Sequence, residues 1–274
     1  MKRSLDPLAG QSAEGAQGIA TRRVVLLGAS NLTKGIGTVL ETACRVWGRP
    51  LRVLGALGHG RSYGRTTSLL GRQLPGILEC GLWQELARTP DLPTATLVTD
   101  IGNDLLYEEP VEQIVDWVRE CFDRLVAIRA RTVVTALPVG NLETLSRARF
   151  QLMRTLFFPH SRITLEEVSR RARALDEAVR TLAVERGFSL IAHRPAWYGF
   201  DPIHIKQRHR SLAWREILTP WSMSSELTEP ASSSMARTLY LCSRTPDRRR
   251  ILGFEQRGSQ PAARMNDGTT VAVY

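Results

Sequence analysis

The sequence has few cysteines and no pattern that would pair them or join them to a metal. Its four cysteines, Cys44, Cys80, Cys121 and Cys242, lie far apart and match none of the CxxC spacings of zinc and redox sites. The spacing therefore argues against a disulfide scaffold and against a cysteine-ligated metal centre. We expect free thiols, which are typical of a reducing compartment.

Long hydrophobic runs are also missing. The apolar runs have the length of strands, so the sequence predicts no transmembrane helix. The chain opens with Lys2 and Arg3, but Pro7 follows closely and no apolar segment of the kind found in signal peptides is present. We therefore expect a cytoplasmic protein that begins with a disordered leader over residues 1–21, a segment rich in Ala, Gly, Ser and Gln.

Positive charge is abundant but not concentrated. The chain of 274 residues has 37 Lys and Arg against 27 Asp and Glu, which gives a formal net charge of +10. Because such a charge attracts nucleic acids and anionic surfaces, both must be considered as partners. The arginines are spread along the whole chain, with one dense run at residues 248–250. We therefore expect a solvated basic surface and no nucleic-acid partner.

Strand-like and helix-like segments alternate through residues 22–221, which are long enough for one sizeable domain. Apolar runs rich in β-branched residues predict five buried strands, at residues 24–27, 51–57, 94–100, 132–137 and 188–192. Amphipathic spacing predicts helices at residues 33–46, 111–128 and 164–186, the last with Thr164 and Glu167 as a capping box. This alternation predicts a parallel, doubly wound α/β sheet.

The texture of the chain changes after residue 221. Residues 222–235 are rich in Ser, Glu and Pro, which predicts a linker. Residues 238–242, 250–255 and 269–274 resemble short strands, so we predict a small β-meander over residues 236–274. Since so small a sheet buries little surface by itself, we expect it to pack on the main domain or on a partner.

The turn after the first strand is the first stretch that indicates chemistry. Gly28, Ala29 and Ser30 follow the apolar run directly and precede a predicted helix. Ser30 is therefore expected at the carboxyl end of a strand, which is where ligands bind in open α/β sheets. A serine in this position is either a candidate nucleophile or simply the cap of the helix, and the turn alone does not distinguish the two.

Polar clusters also follow the second, third and fifth predicted strands. They are the glycine-rich loop over residues 58–67, the segment over residues 101–107 and the segment over residues 201–204. Because the carboxyl ends of parallel strands meet at one edge of a sheet, we expect these clusters and Ser30 to converge there.

The residue types in these clusters are those of acyl transfer through a covalent intermediate. Ser30 can act as the nucleophile and His204 as its base, and Asp201 is spaced so that its carboxylate can fold back onto the imidazole. The Asp-x-x-His spacing favours His204 over the nearby His209. The donors to an oxyanion would be the Ser30 N–H, an N–H of the glycine-rich loop and the Asn103 side-chain amide.

In order and spacing, four blocks of the chain resemble those of the SGNH (GDSL-type) hydrolases. The blocks are Gly28-Ala29-Ser30, the loop over residues 58–64, Gly102-Asn103-Asp104 and Asp201-Pro202-Ile203-His204. The resemblance covers about residues 22–215 and implies a three-layer α/β/α, flavodoxin-like fold with strand order 2-1-3-4-5. It also implies that a small-molecule ester is hydrolysed through an acyl-serine intermediate, with no metal or cofactor.

Three positions depart from the pattern of this family. Ala29 stands where the family has aspartate, and Ile101 stands where the third block has its first glycine. In the second block residue 63 separates the serine from the following glycine, whereas most members have no such insertion. We take Gly64 as the oxyanion donor of this loop, with Gly60 as the alternative.

The remaining polar residues near the blocks have plainer interpretations. Asp104 is expected to cap or brace its loop, and His59 either contacts substrate or makes a structural hydrogen bond. His160 and His193 have no partner by spacing, so we expect structural roles for them.

Other functions remain open from the sequence. The same residues could transfer an acyl group to an acceptor other than water. A non-catalytic flavodoxin-like module that binds a phosphate or a nucleotide through the glycine-rich loop is a further alternative, and such a module does not require Asp201 and His204 to face Ser30. A nucleic-acid role based on charge alone ranks last.

Overall fold

The structure is a computed structural model that describes residues 20–69, 71–89, 91–158, 161–222 and 229–274. Nearly all of the predicted leader and residues 223–228 of the predicted linker lie outside the described residues. The strands are β1 (Arg22–Leu27), β2 (Leu51–Ala56), β3 (Thr67–Leu69), β4 (Arg72–Leu74), β5 (Thr94–Val98), β6 (Arg131–Thr135), β7 (Ser189–Ile191), β8 (Arg248–Ile251), β9 (Phe254–Arg257), β10 (Ala263–Arg264) and β11 (Thr270–Val273).

The helices alternate with the strands over most of the chain. They are α1 (Ser30–Trp47), α2 (Leu82–Arg88), α3 (Val111–Ala127), α4 (Val139–Glu143), α5 (Arg147–Phe157), α6 (Leu165–Glu185), α7 (Arg210–Leu218) and α8 (Met235–Cys242). Short 3₁₀ helices lie at Ile77–Glu79, Ile101–Tyr107, Pro195–Trp197, Gln207–His209 and Thr219–Trp221. None of the helices in the described residues has the combination of length and apolar character that crossing a membrane requires.

The main sheet has seven strands in the order β10-β11-β2-β1-β5-β6-β7. Neighbouring strands are parallel from β11 to β7, and β10 runs antiparallel to β11. The five strands expected from the sequence are β2, β1, β5, β6 and β7 in spatial order. The predicted order 2-1-3-4-5 and the flavodoxin-like arrangement are therefore confirmed.

Helices cover both faces of this sheet, which gives the predicted three layers. Along β1, Val25 and Leu27 belong to the apolar core beneath α3 and α6, whereas Val24 and Leu26 belong to the core beneath α1 and α7. Because both faces of β1 are buried, its sequence is apolar without alternation. The loops after the strands consequently form one exposed edge, and this edge carries the site described below.

The predicted helix over residues 164–186 is observed as α6. The Thr164 hydroxyl caps it by accepting a hydrogen bond from the Glu167 N–H at 3.2 Å. The Glu167 carboxylate, however, binds Arg170 and Arg171 on the helix surface. The capping residue was therefore predicted correctly from the sequence, whereas the carboxylate is used in surface ion pairs.

The C-terminal part of the chain does contain a small antiparallel sheet, but its elements differ from the prediction. The predicted strand over residues 238–242 is wrong, because these residues belong to α8. The Ser234 hydroxyl caps this helix by accepting from the Arg237 N–H at 3.1 Å, and the helix packs on α1. A short apolar run fits a strand or a helix equally well, and here the cap and the packing surface decide the outcome.

The last strand also has a different place from the one expected. β11 lies parallel to β2 in the main sheet, so the end of the chain is part of the principal core. The hairpin of β8 and β9 pairs with the hairpin of β3 and β4 in a four-stranded sheet of order β3-β4-β8-β9.

Candidate active site

Ser30 occupies the first position of α1, directly after the turn that follows β1. Its hydroxyl oxygen lies 2.8 Å from Nε2 of His204, which is 174 residues away along the chain. Ser30 is half-buried at the carboxyl edge of the sheet, where the sequence placed it. The parallel topology therefore brings these two side chains within hydrogen-bond distance.

Asp201 and His204 belong to one tight loop. Oδ2 of Asp201 lies 2.5 Å from Nδ1 of His204, while its Oδ1 accepts from the N–H groups of Ile203 at 3.1 Å and His204 at 3.2 Å. The carboxylate thus folds back onto its own loop as expected from the spacing. With the proton on Nδ1, the lone pair of Nε2 faces the Ser30 hydroxyl, which is the tautomer that a general base needs.

The pKa of the Asp201 carboxyl lies below its ordinary value. Burial by itself disfavours the charged form, but the hydrogen bond and the charge of His204, the Ile203 N–H and the nearby Lys34 together outweigh it. Asp201 is therefore ionised at neutral pH and can hold the imidazole in one orientation.

The carboxylate of Asp100, which no pattern in the sequence singled out, caps α1. Oδ2 of Asp100 accepts from the N–H groups of Ala29 at 2.9 Å, Asn31 at 3.0 Å and Leu32 at 3.2 Å. Because Asp100 supplies the cap, the Ser30 hydroxyl is not needed for it and is left to face His204. The alternative that Ser30 is only a helix cap is thus not supported by the geometry.

Asp100 adopts a left-handed backbone conformation with φ of 61° at the point where β5 ends. Aspartate tolerates this region better than most residues, and the cap contacts hold it there. The signal in the sequence was an acidic residue at the end of a predicted buried strand. In the structure all five residues of β5 are buried.

Asn31 connects the start of α1 to the loop that carries His204, and the sequence pattern did not predict this role either. Its Nδ2 donates to the Ile203 carbonyl at 2.7 Å and to Oδ1 of Asp100 at 2.9 Å, and its Oδ1 accepts from the Ile205 N–H at 2.8 Å. These bonds hold the backbone on both sides of His204. A polar residue immediately after the candidate nucleophile was the signal that could have identified it.

Two of the predicted oxyanion donors border the same space. Asp100 accepts from the N–H groups on both sides of Ser30. The N–H of Ser30 itself donates to no protein group within the described residues. Asn103 lies in the 3₁₀ helix after β5 and lines the same cavity as Ser30. Its Nδ2 is 3.4 Å from the carbonyl oxygen of Arg61, which brings the glycine-rich loop alongside.

Gly64 is not brought to this space, which corrects the expectation for the glycine-rich loop. Its N–H donates to the Ser62 hydroxyl at 3.1 Å, and a Cβ at this position would lie 2.0 Å from Trp117 on α3. Gly60 is the remaining candidate of this loop. It adopts φ of 66°, the Tyr107 hydroxyl donates to its carbonyl at 2.6 Å, and its N–H donates to no group in the described residues.

Asp104 braces the glycine-rich loop, in line with the expectation from the sequence. Its buried Oδ2 accepts from the Tyr63 N–H at 2.9 Å. Burial raises the pKa of this carboxyl to about 6 against the opposing hydrogen bonds from Ser62 and Tyr63. Asp104 therefore joins the second and third blocks without facing Ser30.

Within the described residues, no histidine other than His204 hydrogen-bonds to the Ser30 hydroxyl. Burial, followed by the positive charge of Lys34, lowers the pKa of His59 to about 4. His193 has a partner that spacing could not reveal, since its Nδ1 lies 2.6 Å from the Tyr198 hydroxyl, and burial lowers its pKa to about 4. His209 is half-buried and accepts a hydrogen bond from Arg208, and His160 lies outside the described residues.

Ser30 borders a cavity at this edge of the sheet. Its volume is about 1010 Å³ when its open mouth is included. The mouth is polar, with Ser30, Asn31, Asp100 and Asn103, whereas the interior is lined mainly by aliphatic and aromatic side chains from the 3₁₀ helix after β5 and from α4, α5 and α6. The described residues contain no group of three or more His, Cys, Asp or Glu arranged to hold a metal ion.

The fold is similar to those of several solved structures. A carbohydrate acetylesterase family member from Sinorhizobium meliloti shares 15% identity over 73% of this chain and 96% of its own, with a TM-score of 0.48. A lipolytic protein of the G-D-S-L family from Veillonella parvula shares 10% identity over 72% and 97%, with a TM-score of 0.45.

A psychrotrophic esterase from Pseudoalteromonas sp. shares 11% identity over 72% of this chain and 95% of its own, with a TM-score of 0.43. At these identities the likeness concerns the fold alone. No protein-family model matches the chain, and no curated protein sequence matches it.

Proposed function

We propose that the protein is a serine hydrolase of the SGNH type that cleaves carboxylic esters through an acyl-Ser30 intermediate. The observation that carries the proposal is the continuous hydrogen-bonded chain from Ser30 through His204 to Asp201, with distances of 2.8 Å and 2.5 Å. A non-catalytic binding module has no need of this arrangement. The geometry therefore favours an enzyme over the phosphate- or nucleotide-binding alternative.

Acylation begins when the Ser30 oxygen attacks the carbonyl carbon of the ester. His204 Nε2 takes the hydroxyl proton, and the carbonyl electron pair moves onto oxygen to give a tetrahedral oxyanion. When this intermediate collapses, the bond to the leaving alkoxide breaks and His204 returns the proton to it. Water then repeats the sequence on the acyl-Ser30 ester, with His204 again acting first as base and then as acid.

Three N–H donors are proposed to hold the oxyanion: the Ser30 backbone N–H, the Gly60 backbone N–H and the Asn103 side-chain amide. In the described residues neither backbone group has another acceptor. The N-terminus of α1 adds a favourable partial positive charge at the same point. Removal of one such donor typically raises the barrier by roughly 3 kcal/mol.

The mechanism is tested by Ser30→Ala. We expect kcat/KM for p-nitrophenyl acetate and butyrate to fall by about 10⁴-fold or more, while the melting temperature stays within a few degrees, because the Ser30 hydroxyl caps nothing in the fold. Full activity in the folded variant would exclude Ser30 as the nucleophile. Product analysis with added alcohols separates hydrolysis from acyl transfer by the same residues.

A further inference from the structure

We propose that the apolar cavity beside Ser30 is an acyl-chain site and that the substrate is an ester of a medium-length, unbranched fatty acid. This inference rests on the proposed hydrolase and specifies which side of the ester the cavity binds. The lining of the cavity includes Ser30 and Asn103 together with Phe150, Met153, Val168 and Ala172. An acyl carbon attacked by Ser30, with its oxygen toward Asn103, would direct its alkyl chain into this space.

The wall of the cavity is suited to an alkyl chain and not to a sugar or a short polar acid. Beyond the mouth it is formed by residues such as Leu106, Leu142, Phe150 and Val168, which present no hydrogen-bonding side-chain atoms. His193 and Tyr198, which also border it, are hydrogen-bonded to each other at 2.6 Å. A hydroxylated ligand would leave its own polar groups without partners there, which is costly in a buried site.

The segment between β6 and α6 builds most of this wall. It folds as α4 and α5, and it supplies Leu142, Leu145 and Phe150 to the cavity. The α5 helix also leaves Leu152 and Leu156 exposed on its outer side, with 60% and 68% of their surface accessible. Not all of the apolar side chains of α5 are therefore buried in the core of the protein.

Arg154 is the charged residue in the apolar part of the wall, and it raises the alternative that the cavity binds an acyl chain with a terminal carboxylate. Its Nη1 donates to the Ile163 carbonyl at 3.0 Å, which ties α5 to the start of α6, while its buried Nε has no partner among the described residues. An acyl group with a terminal carboxylate would be the ligand for that nitrogen. The more numerous apolar wall residues favour the plain alkyl chain.

The experiment compares kcat/KM for p-nitrophenyl acetate, butyrate, octanoate and dodecanoate. Each methylene buried in an apolar site contributes up to about fourfold, so octanoate should exceed acetate by about 100-fold or more. Ala172→Phe, which places a bulky ring in the lining of the cavity, should lower kcat/KM for octanoate by at least tenfold relative to acetate and so abolish this preference. Ala174→Phe, on the exposed side of the same helix, is the matched control and should behave as wild type.

Met153→Trp provides a second obstruction from α5, which packs less extensively on its neighbours, in case Ala172→Phe does not fold. Binding can be measured without catalysis by titrating octanoate into Ser30→Ala, and this binding should weaken at least tenfold when Ala172→Phe is added. A kcat/KM that is flat or declines from acetate to octanoate would overturn the inference, as would faster cleavage of a p-nitrophenyl adipate monoester than of octanoate. If acetate hydrolysis depends on Ser30 in that case, the proposed function survives and the acyl-chain site alone fails.

Discussion

The polar mouth and the apolar interior of the cavity are held in place by different forces. At the mouth each side chain is fixed by hydrogen bonds to named partners: Asp201 to its own loop, Asn31 to the backbone around His204, and Asp100 to the first amides of α1. In the interior, Phe150, Val168 and their neighbours are held by packing between α5, α6 and the sheet. The contacts that fix the mouth are directional, whereas those among the apolar side chains of the interior are not.

We therefore expect the polar mouth to carry out the reaction and the apolar interior to select among substrates. Directional bonds fix reacting atoms to a fraction of an ångström, as proton transfer requires. Packed apolar walls discriminate by size and shape and tolerate substitution more readily. Substitutions at the mouth should therefore lower kcat for every ester alike, whereas substitutions in the interior should change the ranking of esters.

The largest effect at the mouth is expected for His204→Ala. Loss of the base should lower kcat/KM by on the order of 10⁵-fold for acetate and octanoate equally, because both share the same proton transfer. His209→Ala, which removes a half-buried histidine that contacts Arg208, is the control and should retain activity. Steady-state kinetics on both esters would contradict the account if His209→Ala were the inactive variant.

Asp201→Asn should have the next largest effect. An amide cannot stabilise the imidazolium, and it favours the wrong tautomer of His204, so we expect kcat to fall by about 10³-fold to 10⁴-fold with little change in KM. The measurement is a full Michaelis curve for each protein. A loss of less than tenfold would show that Asp201 does not orient the base.

Asn103→Ala tests the boundary between the two parts, since Asn103 lines the cavity but is proposed to act on the oxyanion. We expect kcat to fall by about 10²-fold to 10³-fold while the ratio of octanoate to acetate stays constant. Asn266→Ala in an exposed turn serves as the matched control. A change in the ratio of octanoate to acetate without a fall in kcat would show that Asn103 selects the acyl chain and does not act on the oxyanion.

The smallest effect concerns stability and involves Asp104. Its folded-state pKa of about 6 lies above the ordinary value, so the folded chain binds more protons than the unfolded chain between about pH 4 and pH 6. The contribution of Asp104 to stability is therefore present below this window and is lost as the pH rises through it.

Urea denaturation of the wild type and of Asp104→Asn should reveal this dependence. Asparagine keeps an acceptor for the Tyr63 N–H and cannot ionise. Between pH 4 and pH 7 the free energy of unfolding of the variant should therefore rise relative to that of the wild type by on the order of 3 kcal/mol. A constant difference across this range would mean that Asp104 is not raised in pKa. Esterase activity at neutral pH should change little, because Asp104 does not face Ser30.

The polar part of the site was largely accessible from the sequence, and the apolar part was not. Hydroxyl, imidazole and carboxylate groups at the ends of apolar runs stand out, and the spacing of Asp201 and His204 fits one loop. By contrast, Phe150, Val168 and Ala172 have the same periodicity as core residues. Whether an apolar side chain lines a cavity or fills the core depends on how α5 and α6 pack, which no local pattern encodes.

The errors within the polar part have a similar origin. Gly60 and Gly64 lie in one glycine-rich loop, and only the backbone path shows that Gly64 turns toward Trp117. Asp100 was counted as the end of a strand because its left-handed conformation leaves no trace in composition. The assignment of α8 as a strand came from a short apolar run whose cap, Ser234, was attributed to a linker.

The most direct test of the central claim is to identify the residue that reacts with a fluorophosphonate. After incubation of the full-length protein, intact-mass analysis and peptide mapping should show one adduct, on Ser30, and the adduct should form at least about 100-fold more slowly in His204→Ala. An adduct on another residue, or labelling of Ser30 at an unchanged rate without His204, would contradict the claim that these two side chains form the nucleophile and its base.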